Sequence, residues 1–200
     1  MFRSAKKVPF YIHKHNHVLS QFPEPDNDSR QDFTQIYLRS KTAPQIIVKH
    51  GSPYYIKIDL EHYDAKVLKS LFDNNIRPPY ISAEFHNPDV FSLLANHGNY
   101  NAFKLVEGHF ISTDYADQRI STKTGEVIYS FPKHSAGPFG EDIHGRWILS
   151  DIFAQLLSQE GIGWKDIHAT SIPECSPISK SDTVPQHRHR KANQQRIHSP

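Results

Sequence analysis

Glycine is missing from the first quarter of the chain, cysteine is nearly absent throughout, and no long apolar run occurs anywhere. No glycine precedes Gly51. That excludes from residues 1–50 the kind of glycine-rich loop that brings backbone amides against a phosphate or a nucleotide. Cys175 is the only cysteine, so no intrachain disulfide can form and a reducing compartment is the simpler expectation. No stretch approaches the roughly 20 apolar residues of a membrane span. The opening MFRSAKKVPFYIHKH has no apolar segment of signal-peptide length. The expectation is a cytoplasmic protein with no membrane partner. Excess charge is lacking too: 23 Lys and Arg face 21 Asp and Glu, a formal net charge of +2, which by itself points to no nucleic-acid partner. Apolar residues make up 37% of the chain and its mean hydropathy is −0.60, so part of it is expected to stay outside any core. The length fits one domain plus a tail, or one incomplete larger domain.

What is present is concentrated in residues 52–85, SPYYIKIDLEHYDAKVLKSLFDNNIRPPYISAEF. Residues 54–58 are aromatic and β-branched, the pattern of a strand buried on both faces. Asp59 and Glu61 follow, two apart, so on an extended chain they project to one side. Residues 64–75 place Val67, Leu68, Leu71 and Phe72 on one face of a helix, with Asp64 as its N-terminal cap. Residues 80–85 form a second strand with Glu84 near its end. Strand, helix and strand in this span predict a parallel βαβ unit. Ligands of open parallel sheets sit outside the carboxyl ends of the strands, where Asp59, Glu61 and Glu84 all fall. Acids at strand ends also serve as caps and solvated loop residues, and spacing alone does not separate these uses.

Upstream, residues 8–19 favour a strand, with Pro9 arguing against a central one. An extended backbone there would put His13, His15 and His17 on one face, an arrangement able to bind a transition metal and equally able to be an exposed polar face. Residues 20–30 predict a loop, 33–38 are ambiguous between strand and helix, and 43–50 predict a short helix. Downstream, Asn87 caps a helix over 87–98, with Pro88 in its first turn and Gly98 as a left-handed stop. Residues 102–110 and 126–131 read as strands that pair antiparallel at the edge of the sheet. Residues 131–147, FPKHSAGPFGEDIHGRW, are irregular and ionisable, as binding loops often are. Residues 148–160 form an amphipathic helix stopped by Gly161. Residues 171–200 read as a disordered tail. Its basic run HRHRKANQQRIH argues for a solvated segment rather than a nucleic-acid contact, since no folded basic face accompanies it.

PYYIKIDLE, RPPYISAEF, NAFKLVEG and SAGPFGEDIHGRW occur in this order. Together they resemble the C-terminal half of an FkbM-family methyltransferase, over roughly residues 46–147. The resemblance implies an α/β, Rossmann-like class I methyltransferase sheet with a terminal antiparallel strand pair, and S-adenosylmethionine as cofactor. It implies methylation, usually on oxygen, of a small-molecule or sugar acceptor. By that analogy residues 54–58 and 80–85 are the fourth and fifth strands of the sheet. Asp59, Glu61 and Glu84 match the family's acids, and they would orient or deprotonate the acceptor hydroxyl. His62 stands where the family has glycine and is a further candidate base. Lys57, Phe139, Glu141, Asp142 and Trp147 are candidate substrate contacts.

The family's glycine-rich cofactor loop and ribose-binding acid have no counterpart here, so the sheet is expected to be incomplete on its N-terminal side. The domain reading is an N-terminal segment (1–45), a methyltransferase-like region (46–170) and the tail (171–200). An incomplete sheet leaves one strand edge to be covered by residues 8–19, or by a homo- or hetero-oligomeric partner. Two other readings stand beside the enzyme: a non-catalytic remnant acting as an interaction module, and a metal binder acting through its histidines.

Overall fold

The computed structural model describes residues 6–60 and 63–172. β1 (Lys7–His13) and β2 (Phe33–Arg39) pair antiparallel in a two-stranded sheet of their own. α1 (Ala43–His50) opens on a capping box. Thr42 Oγ1 accepts the Gln45 amide and Gln45 Oε1 accepts the Thr42 amide, which satisfies two otherwise unpaired donors.

β3 (Tyr55–Ile58), α2 (Asp64–Asp73) and β4 (Tyr80–Glu84) follow. β3 and β4 are parallel neighbours, with Tyr55 opposite Tyr80 and Ile58 opposite Ala83. α3 (Asp89–Ser92) widens into a π turn over Leu93–His97, closed by the Gly98 amide donating to the Leu93 carbonyl at 2.7 Å. Then come β5 (Ala102–Glu107) and α4 (Ile111–Asp114). β6 (Gln118–Thr122) and β7 (Gly125–Tyr129) form a second separate hairpin. β8 (Ile148–Leu149), α5 (Ser150–Glu160) and β9 (Lys165–Thr170) complete the chain.

The main sheet is mixed and open, in the order β3-β4-β9-β5-β8. β9 runs antiparallel to both β4 and β5 and lies between them, so β3, β4 and β5 share one direction. The fold is α/β, with a parallel strand pair at one side of the sheet.

The two faces of this sheet differ in chemistry, and the register says why. Side chains alternate across a strand. One face carries Ile58, Ile81, Ala83, Phe103, Ile167 and Ala169. Against it pack Leu68, Leu71 and Phe72 of α2, Val90 and Leu94 of α3 and its extension, and Phe153 and Leu157 of α5. The other face carries Tyr55 and Lys57 of β3, Tyr80, Ser82 and Glu84 of β4, Lys104 of β5, and Asp166, His168 and Thr170 of β9. Ser82, Glu84, Lys104, Asp166, His168 and Thr170 are all buried. The strap 131–147 crosses this polar face and plants Ile143 beside Val106, Ile111 and Tyr115.

Several expectations are corrected here. β3 is not buried on both apolar faces, because Tyr55 and Lys57 alternate onto the polar side and are half-buried. The strand near 126–131 pairs with β6, not with β5. The antiparallel neighbours of β5 are β9 on its inner side and the short β8 at the edge, and neither is assigned as a strand from the sequence. Asp64 is the first residue of α2 rather than its cap, a position held by Tyr63. Gly98 has φ −75° rather than a left-handed conformation, and Asn99 takes the positive φ of 58°. Gly98 is needed for closeness instead. A Cβ there would sit 2.7 Å from the Leu94 carbonyl oxygen and 2.8 Å from both the Phe72 and Tyr100 rings.

Residues 7–13 do not cover β3, since they pair with β2. Among the described residues no strand pairs with the outer edge of β3. The strand ends at His13, so His15 and His17 leave the shared face. His13 Nδ1 instead accepts the amides of His15 and Asn16. Among the described residues no group of three or more His, Cys, Asp or Glu is placed to hold a metal ion, and no helix is long and apolar enough to cross a membrane.

Candidate functional site

The carboxyl edge of the parallel strands collects charge from three strands and one helix. Asp59 is the residue after β3, with its carboxylate 3.9 Å from Lys57 Nζ. Lys57 is ion-paired to Asp166 of β9. Across the β4–β9 ladder Asp166 stands directly opposite Glu84, and on opposed positions both side chains share a face. Glu84 Oε2 lies 2.9 Å from His86 Nε2. Asp64, at the start of α2, is 2% exposed, and neither of its carboxylate oxygens has a hydrogen-bond partner among the described residues.

Burial drives the electrostatics of this edge. It pushes the Asp166 carboxyl up, against the pull of Lys57, and Asp59 and Asp64 push the same way. Burial also pushes the Asp64 carboxyl up, against the backbone amides of Asp64 and Leu60, with Asp59 adding to the rise. Each group is charged only at the cost of leaving water, and Lys57 is the cation that compensates. Chemically, the edge offers carboxylates to a hydroxyl or amine donor, held by a lysine whose position is fixed by Asp166.

Asp59 and Glu84 therefore lie at the same edge of neighbouring strands, linked through Lys57 and Asp166. Glu61 and His62 lie outside the described residues. Sequence reasoning missed Asp64 as a site residue because it was read as a cap. It missed Asp166 because β9 went unrecognised. The signal was there: KDIHAT alternates apolar Ile167 and Ala169 with Asp166, His168 and Thr170, which is a half-buried strand pattern.

The strap residues sit further along the polar face. Phe139 stacks on Tyr55, with ring centroids 4.3 Å apart and planes within 5°. Glu141 Oε1 accepts from Tyr80 Oη at 3.2 Å and from Trp147 Nε1 at 2.9 Å. The Asp142 carbonyl accepts from Gln118 Nε2 at 3.1 Å. Lys104 Nζ lies 4.7 Å over the Trp147 ring. Tyr80 is four residues from Glu84, about 13 Å along a strand. Phe139, Glu141 and Trp147 thus cover the sheet towards the amino end of β3 and β4, whereas Lys57 belongs to the acidic edge. Gly140 permits the crossing. Its φ is 64°, and a Cβ there would meet the Tyr80 ring at 3.5 Å.

A cavity of about 420 Å³ lies at the opposite end of the sheet, lined by Arg77, Pro79, Tyr80, Tyr100, Thr170 and Ser171 among others. It is far from the acids, and it is floored by proline and tyrosine.

Comparison with protein-family models, with curated proteins and with solved structures finds no match. The fold is that of an α/β scaffold of the kind enzymes use, and its chemistry is argued from the residues themselves.

Proposed function

We propose that this chain carries the acceptor-binding side of an FkbM-type, S-adenosylmethionine-dependent methyltransferase, and that the acceptor is a hydroxyl-bearing small molecule or sugar. The observation that carries the reading is the placement of Asp59 and Glu84 at one carboxyl edge of a parallel strand pair. That is where open α/β sheets bind ligands. In this reading Asp59 and Glu84 accept hydrogen bonds from the acceptor's hydroxyl groups, and Lys57, ion-paired to Asp166, lies beside Asp59.

The described residues do not fit the cofactor. No glycine precedes Gly51, and no strand pairs with the outer edge of β3 among the described residues, so no glycine-rich loop lies beside the carboxyl end of that strand. The methyl donor's cradle has to come from elsewhere. The expected activity of this chain alone is ligand binding without turnover.

Calorimetric titration of glucose into the 200-residue chain tests the reading. Saturable heat that is lost in Asp59→Asn and reduced in Glu84→Gln supports it. No heat, or heat that neither substitution changes, overturns it. S-adenosylmethionine injected into the same chain is expected to give no heat, and micromolar binding would overturn the division between acceptor side and cofactor side.

A further inference from the structure

Two residues inward from the acidic edge, the polar face changes sign. His168 of β9 stands opposite Ser82 of β4 on one side and opposite Lys104 of β5 on the other. It is 2% exposed, yet among the described residues its Nε2 has no hydrogen-bond partner. Lys104 is 4% exposed. Its ammonium donates to the Ile143 carbonyl at 2.6 Å and lies over the Trp147 ring, and both of those partners are neutral. Among the described residues no carboxylate lies within ion-pair distance of Lys104, whereas Lys57 and Lys165 each pair with two; Glu141 and Asp142 of the strap act on Lys104 only from beyond contact. Tyr55 Oη and Ser82 Oγ share a hydrogen bond of 2.6 Å at the same level of the sheet. A buried polar nitrogen without a partner and a buried ammonium with no carboxylate in contact are both costly to a folded chain. An oxyanion between them would satisfy both at once.

We propose that the face beneath the strap is an anion subsite built from Lys104 and His168, so that the acceptor is a hydroxylated oxyanion, a sugar acid or sugar phosphate in chemical class. This rests on the acceptor reading above and adds the substrate's charge to it. His168 is two residues from Asp166, about 7 Å along β9, which is the span from a sugar ring hydroxyl to a carboxylate or phosphate on the same molecule. The anion takes the place of the Ile143 carbonyl on Lys104, because an acceptor that carries a charge binds an ammonium more strongly than a neutral carbonyl does. It also accepts from His168 as the Nε2–H tautomer. The groups facing that imidazole are Tyr55 and Lys57 from β3, Ser82 from β4 and Lys104 from β5, with Trp147 and Ile143 of the strap above Lys104. Burial, and then the charges of Lys57 and Lys104, hold the imidazole down to about 3. The ring is therefore neutral, and the site's positive charge is that of Lys104.

The test is titration of the full chain with glucose, with glucuronate and with inorganic phosphate, followed by backbone amide shifts and by the His168 ring signals. Glucuronate is expected to bind about tenfold or more tightly than glucose and to move the His168 ring. Lys104→Met and His168→Gln are expected to bring glucuronate down to the glucose level and leave glucose binding intact. Asp59→Asn weakens both sugars. Equal affinity for the two sugars overturns the anion subsite and keeps the acceptor reading. Phosphate moving His168 while neither sugar binds keeps the subsite and overturns the acceptor reading. No response to any of the three overturns both. Should both variants fail to fold, the comparison of glucose, glucuronate and phosphate on the unsubstituted chain decides alone.

Discussion

His168 and Asp64 are buried ionisable side chains whose surroundings leave part of their hydrogen-bonding capacity unused, and they set opposite pH dependences. The folded His168 imidazole is held to about 3 against an ordinary 6.5. Below about 6.5 the unfolded chain takes up a proton that the folded chain refuses. The stability that depends on neutral His168 is therefore present above that pH and is lost as pH falls towards 3. Asp64 and Asp166 are raised by burial. The folded chain keeps their protons where the unfolded chain has released them, so their contribution is present at acid pH and is lost as pH rises through the raised values. Two outcomes are expected in urea titrations. His168→Gln flattens the loss of stability below pH 6.5. Asp64→Asn raises the midpoint at pH 7 and changes it little near pH 4, because a neutral amide avoids charging a buried group. A lower midpoint for Asp64→Asn at pH 7 would mean that the carboxylate has partners this account does not give it.

Among the elements, the helices were legible and the sheet's order was not, for a physical reason. A helix writes its buried side into local spacing. Leu68, Leu71 and Phe72 fall on one face of α2, and Phe153 and Leu157 on one face of α5. Which strands neighbour one another is a non-local matter. The strand was legible at 126–131 and lies at 125–129, but nothing in its residues says that its partner is QRIST rather than AFKLVE. β9 was missed because four of its six residues are polar, three of them, Asp166, His168 and Thr170, because they alternate onto the face away from the helices. Asp166, and with it the compensated lysine at the site, went unseen as a consequence. The acids Asp59 and Glu84 were legible because they follow apolar runs that mark strand ends. At the same scale, Gly98 is where α3 and its π turn pass closest to Phe72 and Tyr100. Gly98→Ala is expected to destabilise by about 1–3 kcal/mol, the range for overpacking a well-filled site. A urea midpoint unchanged from that of the parent chain would show that the neighbouring rings yield freely.

At the level of the whole molecule, one late strand holds the sheet together. β9 pairs with β4 on one side and with β5 on the other, so the parallel pair and the β5 side meet only through it. A chain ending at Glu160 would expose Ile81, Ala83 and Phe103 to water and leave two strands with unpaired edges. Net stabilities of about 5–15 kcal/mol do not survive that loss. Such a truncation is expected to give a collapsed amide spectrum and no cooperative urea transition; a dispersed spectrum would show that the sheet forms without β9.

The same sheet offers two rival places for a ligand: the acidic edge at Asp59, Glu84 and Asp166, and the cavity at the other end around Arg77, Tyr100 and Ser171. Backbone amide shifts on adding glucuronate separate them in one experiment. The largest shifts are expected at Asp59, Phe85, Lys165 and Asp166, spreading inward to His168. Shifts confined to Arg77, Tyr100 and Ser171 would contradict the acidic edge as the site.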